Sequence, residues 1–292
     1  MEFINYYQLI NMDRLSPVCV FFLFYFVIAL IFSRLLNPPH YLTIKESKDY
    51  IGQHISIIHA YCGLLLATIV YFIEGGINYN APTNYLHIIV FANSLGYFIY
   101  DSFYAEIFKL HDWPMRFHHV GALTALTGLY FAEYGGSAGV LGIILTEISN
   151  PCILKRHIMK AMCLEDTPRY NFYETTFAML FVFSRVIVGT WYMLNVWASV
   201  ITPVYKLTVS ALFGVSLFWV FILVFMVVKK IEKNDDNRAF LKRIIWGINW
   251  IKHRKFVLLS SILLISLALP YILTQVMKVK FLQLRVDGFA IL

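Results

Sequence analysis

The chain has 292 residues, of which 59% are hydrophobic and only 14% charged, and its mean hydropathy is +0.67. That balance lies far from the composition of soluble domains and identifies a polytopic membrane protein; about eight spans of roughly 20 residues each would leave only short loops and no room for a sizeable soluble domain. The net charge of +7 sits on Lys and Arg in loops between apolar runs, with no basic fold motif, so nucleic acid is excluded as a partner and anionic lipid headgroups are the expected counterpart.

Residues 1–17 carry Glu2 and Asp13 beside Arg14, without the basic n-region of a cleavable signal. The first span, about Pro17 to Leu36, is therefore expected to stay as an anchor, and Pro38 and Pro39 stop any helix before a polar loop through Tyr50. The second span is read at about Ile51 to Ile73, with His54 and His59 near its start. The third runs from about Tyr85 to Phe108 and carries Asn93, Tyr97 and Asp101, four apart and so on one helical face. The fourth, about Phe117 to Tyr134, opens on His118 and His119; the short fifth, about Ala138 to Pro151, closes on Glu147, Ser149 and Asn150. The sixth, about Phe172 to Trp197, has Arg185 near its middle; the seventh is about Val204 to Val228, and the eighth about Phe256 to Met277, with Pro270 as a kink point. Between the last two, Ala239 to Lys255 repeats Phe240, Ile244, Ile248 and Ile251 at helical spacing. Lys242, Arg243, Lys252 and Arg254 supply charge there, the pattern of an amphipathic helix on the membrane surface.

Charge asymmetry orients this set. Most of the 24 basic residues fall in loops after odd-numbered spans, which the positive-inside rule places in the cytosol, with both termini on the opposite side. The starts of spans two and four and the ends of spans three and five then share one cytosolic-half layer, which collects His54, His59, Asp101, His118, His119 and Glu147. Histidine takes or gives a proton near neutrality, and an adjacent carboxylate fixes its tautomer. Such a layer can activate an amine or hydroxyl against an acyl thioester. The bland alternative is that His54, His118 and His119 are interfacial groups within reach of water, and that His59 and His87 are interhelical hydrogen-bonding groups. Asp101 and Glu147 need a partner inside an apolar run, with Arg185 available to one of them as a structural ion pair. Cys19, Cys62, Cys152 and Cys163 show neither a disulfide framework nor zinc spacing, and no metal or other cofactor is expected.

The motifs LGYFIYD (Leu95–Asp101), RFHH (Arg116–His119), TEISNP (Thr146–Pro151) and VFSRV (Val182–Val186), in that order over about His54 to Ile231, resemble the TLC domain. That family is shared by ceramide synthases, a translocating-chain-associated protein and a neuronal ceroid lipofuscinosis membrane protein. The pattern of Glu147, Ser149 and Pro151 is most similar to the small TLC domain-containing membrane proteins. The resemblance implies an all-α polytopic membrane protein in which six or seven helices ring a lipid cavity. It also implies that His118 and His119 correspond to the paired active-site histidines of ceramide synthases, with Asp101 or Glu147 in support. Where those enzymes carry a His-Asp-x-Ser-Asp type signature, this chain has Thr146, Glu147, Ile148, Ser149 and Asn150: one acid, no histidine, and an amide for the second acid.

The organisation expected is a first span and cytosolic loop over 1–50, a TLC domain over 51–231, a basic interfacial segment over 232–255, and a last span and tail over 256–292. His54, His59, Asn93, Tyr97, Ser149, Asn150 and Arg185 are expected to line or support the cavity. The function expected is binding of lipid or acyl chains, in lipid homeostasis or as a scaffold. The alternatives are a histidine-dependent acyltransferase with acyl-CoA as co-substrate, and an accessory subunit of a larger membrane complex. Membrane lipids and protein partners in a membrane complex are the expected associates. The compartment expected is an endomembrane, first the endoplasmic reticulum, with the mitochondrial inner membrane as the other candidate.

Overall fold

Residues 15–234, 260–262 and 264–272 are described by a computed structural model of the chain. The interfacial segment, with Lys242, Arg243, Lys252 and Arg254, and both ends of the eighth span lie outside these residues. All regular structure among them is helical, apart from one isolated bridge between Pro82 and Tyr134. In chain order the helices are α1 (Leu15–Leu35), α2 (Ile44–Ile73), α3 (Tyr85–Phe108), α4 (Trp113–Tyr130), α5 (Gly136–Glu147), α6 (Asn150–Ala161) and α7 (Pro168–Phe181). A π-helical turn over Val182–Val188 follows, then α8 (Gly189–Ala198) and α9 (Pro203–Asn234). Among the described residues, five stretches are long and apolar enough to cross a membrane: α1, α2, Gly136–Ala161, Pro168–Ala198 and Pro203–Val224. The chain is an all-helical multispan membrane protein. Helices α3 and α4 form where spans three and four are expected, but the polar side chains discussed below lower their hydropathy.

Local chemistry sets the helix ends, and it moves several of them from the positions that apolar runs suggest. Helix α2 begins at Ile44 rather than Ile51 because Thr43 and Glu46 form a reciprocal capping box: Thr43 N–H donates to Glu46 Oε2 at 2.8 Å and Glu46 N–H donates to Thr43 Oγ1 at 3.3 Å. Helix α4 begins at Trp113 rather than Phe117, since Asp112 accepts from Met115 N–H and Pro114 is suited to the first turn. It stops at Tyr130, four residues before Tyr134, where the chain turns to let Thr83 N–H donate to Glu133 O at 2.7 Å. Helix α5 ends at Glu147 instead of Pro151, and Pro151 lies in the first turn of a second helix, α6, which carries the span on to Ala161 and which apolar periodicity gave no sign of. The sixth span reaches from Pro168 to Ala198, with the π-helical turn around Arg185 inside it.

The chain divides into two compact units with their boundary after Phe177. In the first, α1 lies along α3, α2 packs on α3, α5 and α6, and α3 packs on α4. The contact of α1 with α3 is close because Gly96 faces α1; a Cβ there would lie 2.7 Å from Phe21 Cβ and from the Phe22 backbone nitrogen. Small residues at such crossings are how helices gain packing in lipid, where apolar side chains gain nothing by leaving the solvent. Tyr25, Ile51, Ile55, Tyr97 and Tyr100 form the core where α1, α2 and α3 meet. In the second unit, the π-helical turn, α8 and α9 pack together. Tyr192 and Tyr205 join hydroxyls at 2.5 Å, and Trp197 donates to Ser210 Oγ at 2.8 Å.

Candidate functional site

Two polar clusters form inside the first unit. The inner one is built on Glu147 at the end of α5. Its Oε1 lies 3.7 Å from His59 Nε2 on α2, and its Oε2 accepts from Asn150 Nδ2 at 2.9 Å. His59 stacks flat on Tyr97 of α3, with ring centroids 3.8 Å apart and planes 6° from parallel. On its other side, the Tyr25 hydroxyl of α1 lies 3.3 Å from His59 Nδ1 and donates to Asn93 Oδ1 at 2.8 Å. Tyr97 in turn donates to Ser56 Oγ at 2.8 Å. Gly63 lies against this meeting: a Cβ on it would stand 3.6 Å from both Glu147 Cγ and His59 Cε1, in ordinary van der Waals contact. Tyr25, His59, Asn93, Glu147 and Ser149 are all buried. Groups this polar are costly to hold within hydrocarbon-spanning helices, and here they come from four helices to one place.

The outer cluster is built on Asp101, one turn further along α3 than Tyr97. Its Oδ2 lies 3.5 Å from His119 Nε2 on α4 and 3.6 Å from His111 Nε2 in the loop between the two helices. Ser102 Oγ lies 3.4 Å from His119 Nδ1. The three side chains Asp101, His111 and His119 bring one ligand atom each to within 4.8 Å of one another, which makes them the residues that could hold a metal ion. His111 stands outside the spans, and its burial disfavours the imidazolium, so the imidazole is held below its ordinary pKa. The loop that presents it is tight: Lys109 adopts left-handed backbone at φ 53°, ending α3, before Asp112 caps α4.

Phe98 joins the clusters. Its ring meets the edges of His59 at 5.8 Å, His119 at 5.2 Å and His118 at 6.3 Å. The adjacent histidines diverge as helical geometry requires, their planes 76° apart. His119 turns inward to Asp101 and is buried, whereas His118 is half-buried beside exposed Phe117 and Val120.

The layer read from the sequence is thus resolved into two groups. Asp101 meets His119, one of the paired histidines, and Glu147 meets His59. Asn93, Tyr97 and Asp101 do share a buried face of α3, yet the first two serve the inner cluster and the third the outer one. His54 belongs to neither, because its Nδ1 bonds Tyr50 O at 2.8 Å and its ring packs on Tyr50 and Phe32. Ser149 is fully buried, and Asn150 supports Glu147 directly. Arg185 lies in the second unit, buried on the π-helical turn with its guanidinium over the Phe181 ring at 5.4 Å. His87 is an interhelical group, bonded through Nε2 to Glu74 at 2.8 Å while Nδ1 accepts from Asn84 N–H.

Tyr25, Phe98 and His111 were not singled out in the sequence. Tyr25 is the one hydroxyl in the run FFLFYF of the first span, which is a readable signal. His111 gave none, since it is a polar loop residue ten positions from Asp101 and eight from His119.

A family model described as the TLC domain matches residues 18–252, a wider stretch than the His54 to Ile231 region of the motif resemblance and one that takes in Tyr25. TLC domain-containing protein 4 A of Dictyostelium discoideum is 24% identical over 159 residues, which cover 50% of this chain and 61% of that relative.

Proposed function

This chain belongs to the TLC domain family, and from that premise we propose that it binds lipid or acyl chains within the membrane, in lipid homeostasis or as a lipid-binding scaffold. The observation that carries the reading is the line of buried polar side chains from Glu147 through His59 to His119 and Asp101, joined by half-buried Phe98, which also meets half-buried His118. His118 offers a headgroup an ionisable donor or acceptor at the basic side of the membrane, and Phe117 and Val120 offer an acyl chain apolar flanks. An endomembrane, first the endoplasmic reticulum, is the compartment that goes with it.

The test is lipid retention. The full chain, purified in detergent and moved to nanodiscs of defined synthetic lipid, should carry a foreign lipid species at a roughly fixed ratio to protein, detected by extraction and mass spectrometry. His118→Ala should lose most of it while melting at the wild-type temperature. Recovery of nanodisc lipid alone, or equal retention by the variant, would overturn the reading.

The 3.5 Å approach of His119 to Asp101 favours a second reading, an acyltransferase in which the imidazole takes a proton from a lipid amine or hydroxyl as it attacks the acyl-CoA carbonyl, and returns that proton to the CoA thiolate released when the thioester C–S bond breaks. Transfer of labelled acyl chain to lipid by purified protein, lost in His119→Ala, is the result it requires. Turnover that survives that substitution removes His119 as base.

A further inference from the structure

We propose that Asp101, His111 and His119 form a zinc site with three protein ligands and a fourth position for water or a ligand oxygen. The separations argue for it. Asp101 Oδ2 stands 3.6 Å from His111 Nε2 and 3.5 Å from His119 Nε2, longer than the hydrogen bonds that an imidazole N–H makes to a carboxylate. They are close to the edge of a tetrahedron, about 3.3–3.4 Å, that zinc imposes with bonds of about 2.0–2.1 Å to nitrogen and oxygen. The remaining pair of ligand atoms lies within 4.8 Å, so closing the site takes a small swing of one imidazole. His111 is placed to make it, being a half-buried loop residue.

The donor set narrows the ion. Two imidazoles and one carboxylate, with no thiol, suit zinc and iron(II), whereas calcium and magnesium prefer all-oxygen shells. An octahedral metal would draw the same atoms to edges of about 3.0 Å, further from the distances here. The outer shell fits as well. A hydrogen bond from His119 Nδ1–H to Ser102 Oγ, 3.4 Å away, would leave Nε2 bare toward Asp101, the arrangement that commonly orients a ligating histidine. Asp101 and His119 are buried in membrane-spanning helices while His111 reaches in from the connecting loop, so the ion has an entry from the aqueous side and supplies the positive charge that a buried carboxylate needs.

One chemical consequence separates this site from the readings above. An imidazole whose Nε2 lone pair is given to zinc cannot take a proton on that atom, so metal-loaded His119 is no general base. Contact with a headgroup is left to His118 or to the fourth zinc position.

Elemental analysis of the full chain purified without chelator tests the proposal. About one zinc per chain is expected, falling to background in His111→Ala and unchanged in His40→Ala, a control on an exposed histidine. Wild-type protein stripped with chelator and reloaded with cobalt should show the strong visible absorption of tetrahedral Co²⁺, and its melting temperature should rise on reloading. If His111→Ala fails to fold, the cobalt spectrum and the reversible thermal shift of the wild-type protein decide the matter. Zinc far below one per chain with no thermal shift on adding micromolar zinc would overturn the site, as would weak octahedral absorption or full zinc in a folded His111→Ala.

Discussion

Glu147 is held by His59 and Asn150: its Oε1 faces His59 Nε2 at 3.7 Å while Asn150 holds its Oε2 at 2.9 Å. The acid that survives in the TEISNP motif is therefore built into the junction of α2 and α5, and removing it strands buried His59 and half-buried Asn150. Glu147→Ala should cost about 1–3 kcal/mol of stability, the range for leaving such groups unsatisfied. Glu147→Gln, which keeps an oxygen and the side-chain shape, should cost less. Melting temperatures of the two variants in one detergent check the order, and equal losses would contradict it.

Tyr25 ties the first helix to this junction through Asn93 and His59. Tyr25→Phe keeps the ring packing on Tyr97, whose centroid lies 5.3 Å away, but deletes the hydroxyl. A loss of about 1–3 kcal/mol is expected. The same substitution at Tyr61, which is exposed on α2, should change stability by less than about 0.5 kcal/mol.

Two glycines separate close approach from helix propensity. Gly96→Ala would drive a Cβ to 2.7 Å from the Phe22 backbone nitrogen, and helix α1 would have to retreat, at about 1–3 kcal/mol. Gly128, in α4, has nothing within 4 Å of the position a Cβ would take. Gly128→Ala should be neutral or stabilise by up to roughly 1 kcal/mol, the gain from ordering the helix. Opposite shifts in melting temperature are the expected outcome.

His118 and His119 should likewise separate. His119→Ala empties a buried position between Asp101, Ser102 and Phe98 and should cost about 1–3 kcal/mol. His118→Ala, at a half-buried position, should cost no more than about 0.5 kcal/mol. Its effect belongs to ligand retention, so a large fall in melting temperature for His118→Ala would argue that its role is structural.

Much of this architecture is legible along the chain. The first and third helices were expected within two residues of where they form, because an apolar run, a proline pair and a turn mark their ends. The common face of Asn93, Tyr97 and Asp101 follows from the helical period alone, and so does the divergence of His118 from His119. Helix starts that depend on one hydrogen-bonded cap were misplaced. Thr43 with Glu46 extends α2 by seven residues into a stretch polar enough to read as loop, and α6 carries too much charge to stand out by hydropathy.

What the sequence by itself determined is that the chain lives in a membrane, that its helices carry a handful of ionisable groups within apolar runs, and that four motifs in order resemble the family to which it belongs. Solvent and period impose those features residue by residue. Only the tertiary structure decided which groups meet. Glu147 pairs with His59 because α5 packs on α2, and Asp101 collects both His119 and His111 because the loop after α3, begun by a left-handed residue at Lys109, brings His111 to it. Contacts of that kind depend on crossing points and loop closure between distant residues, and no local pattern records them.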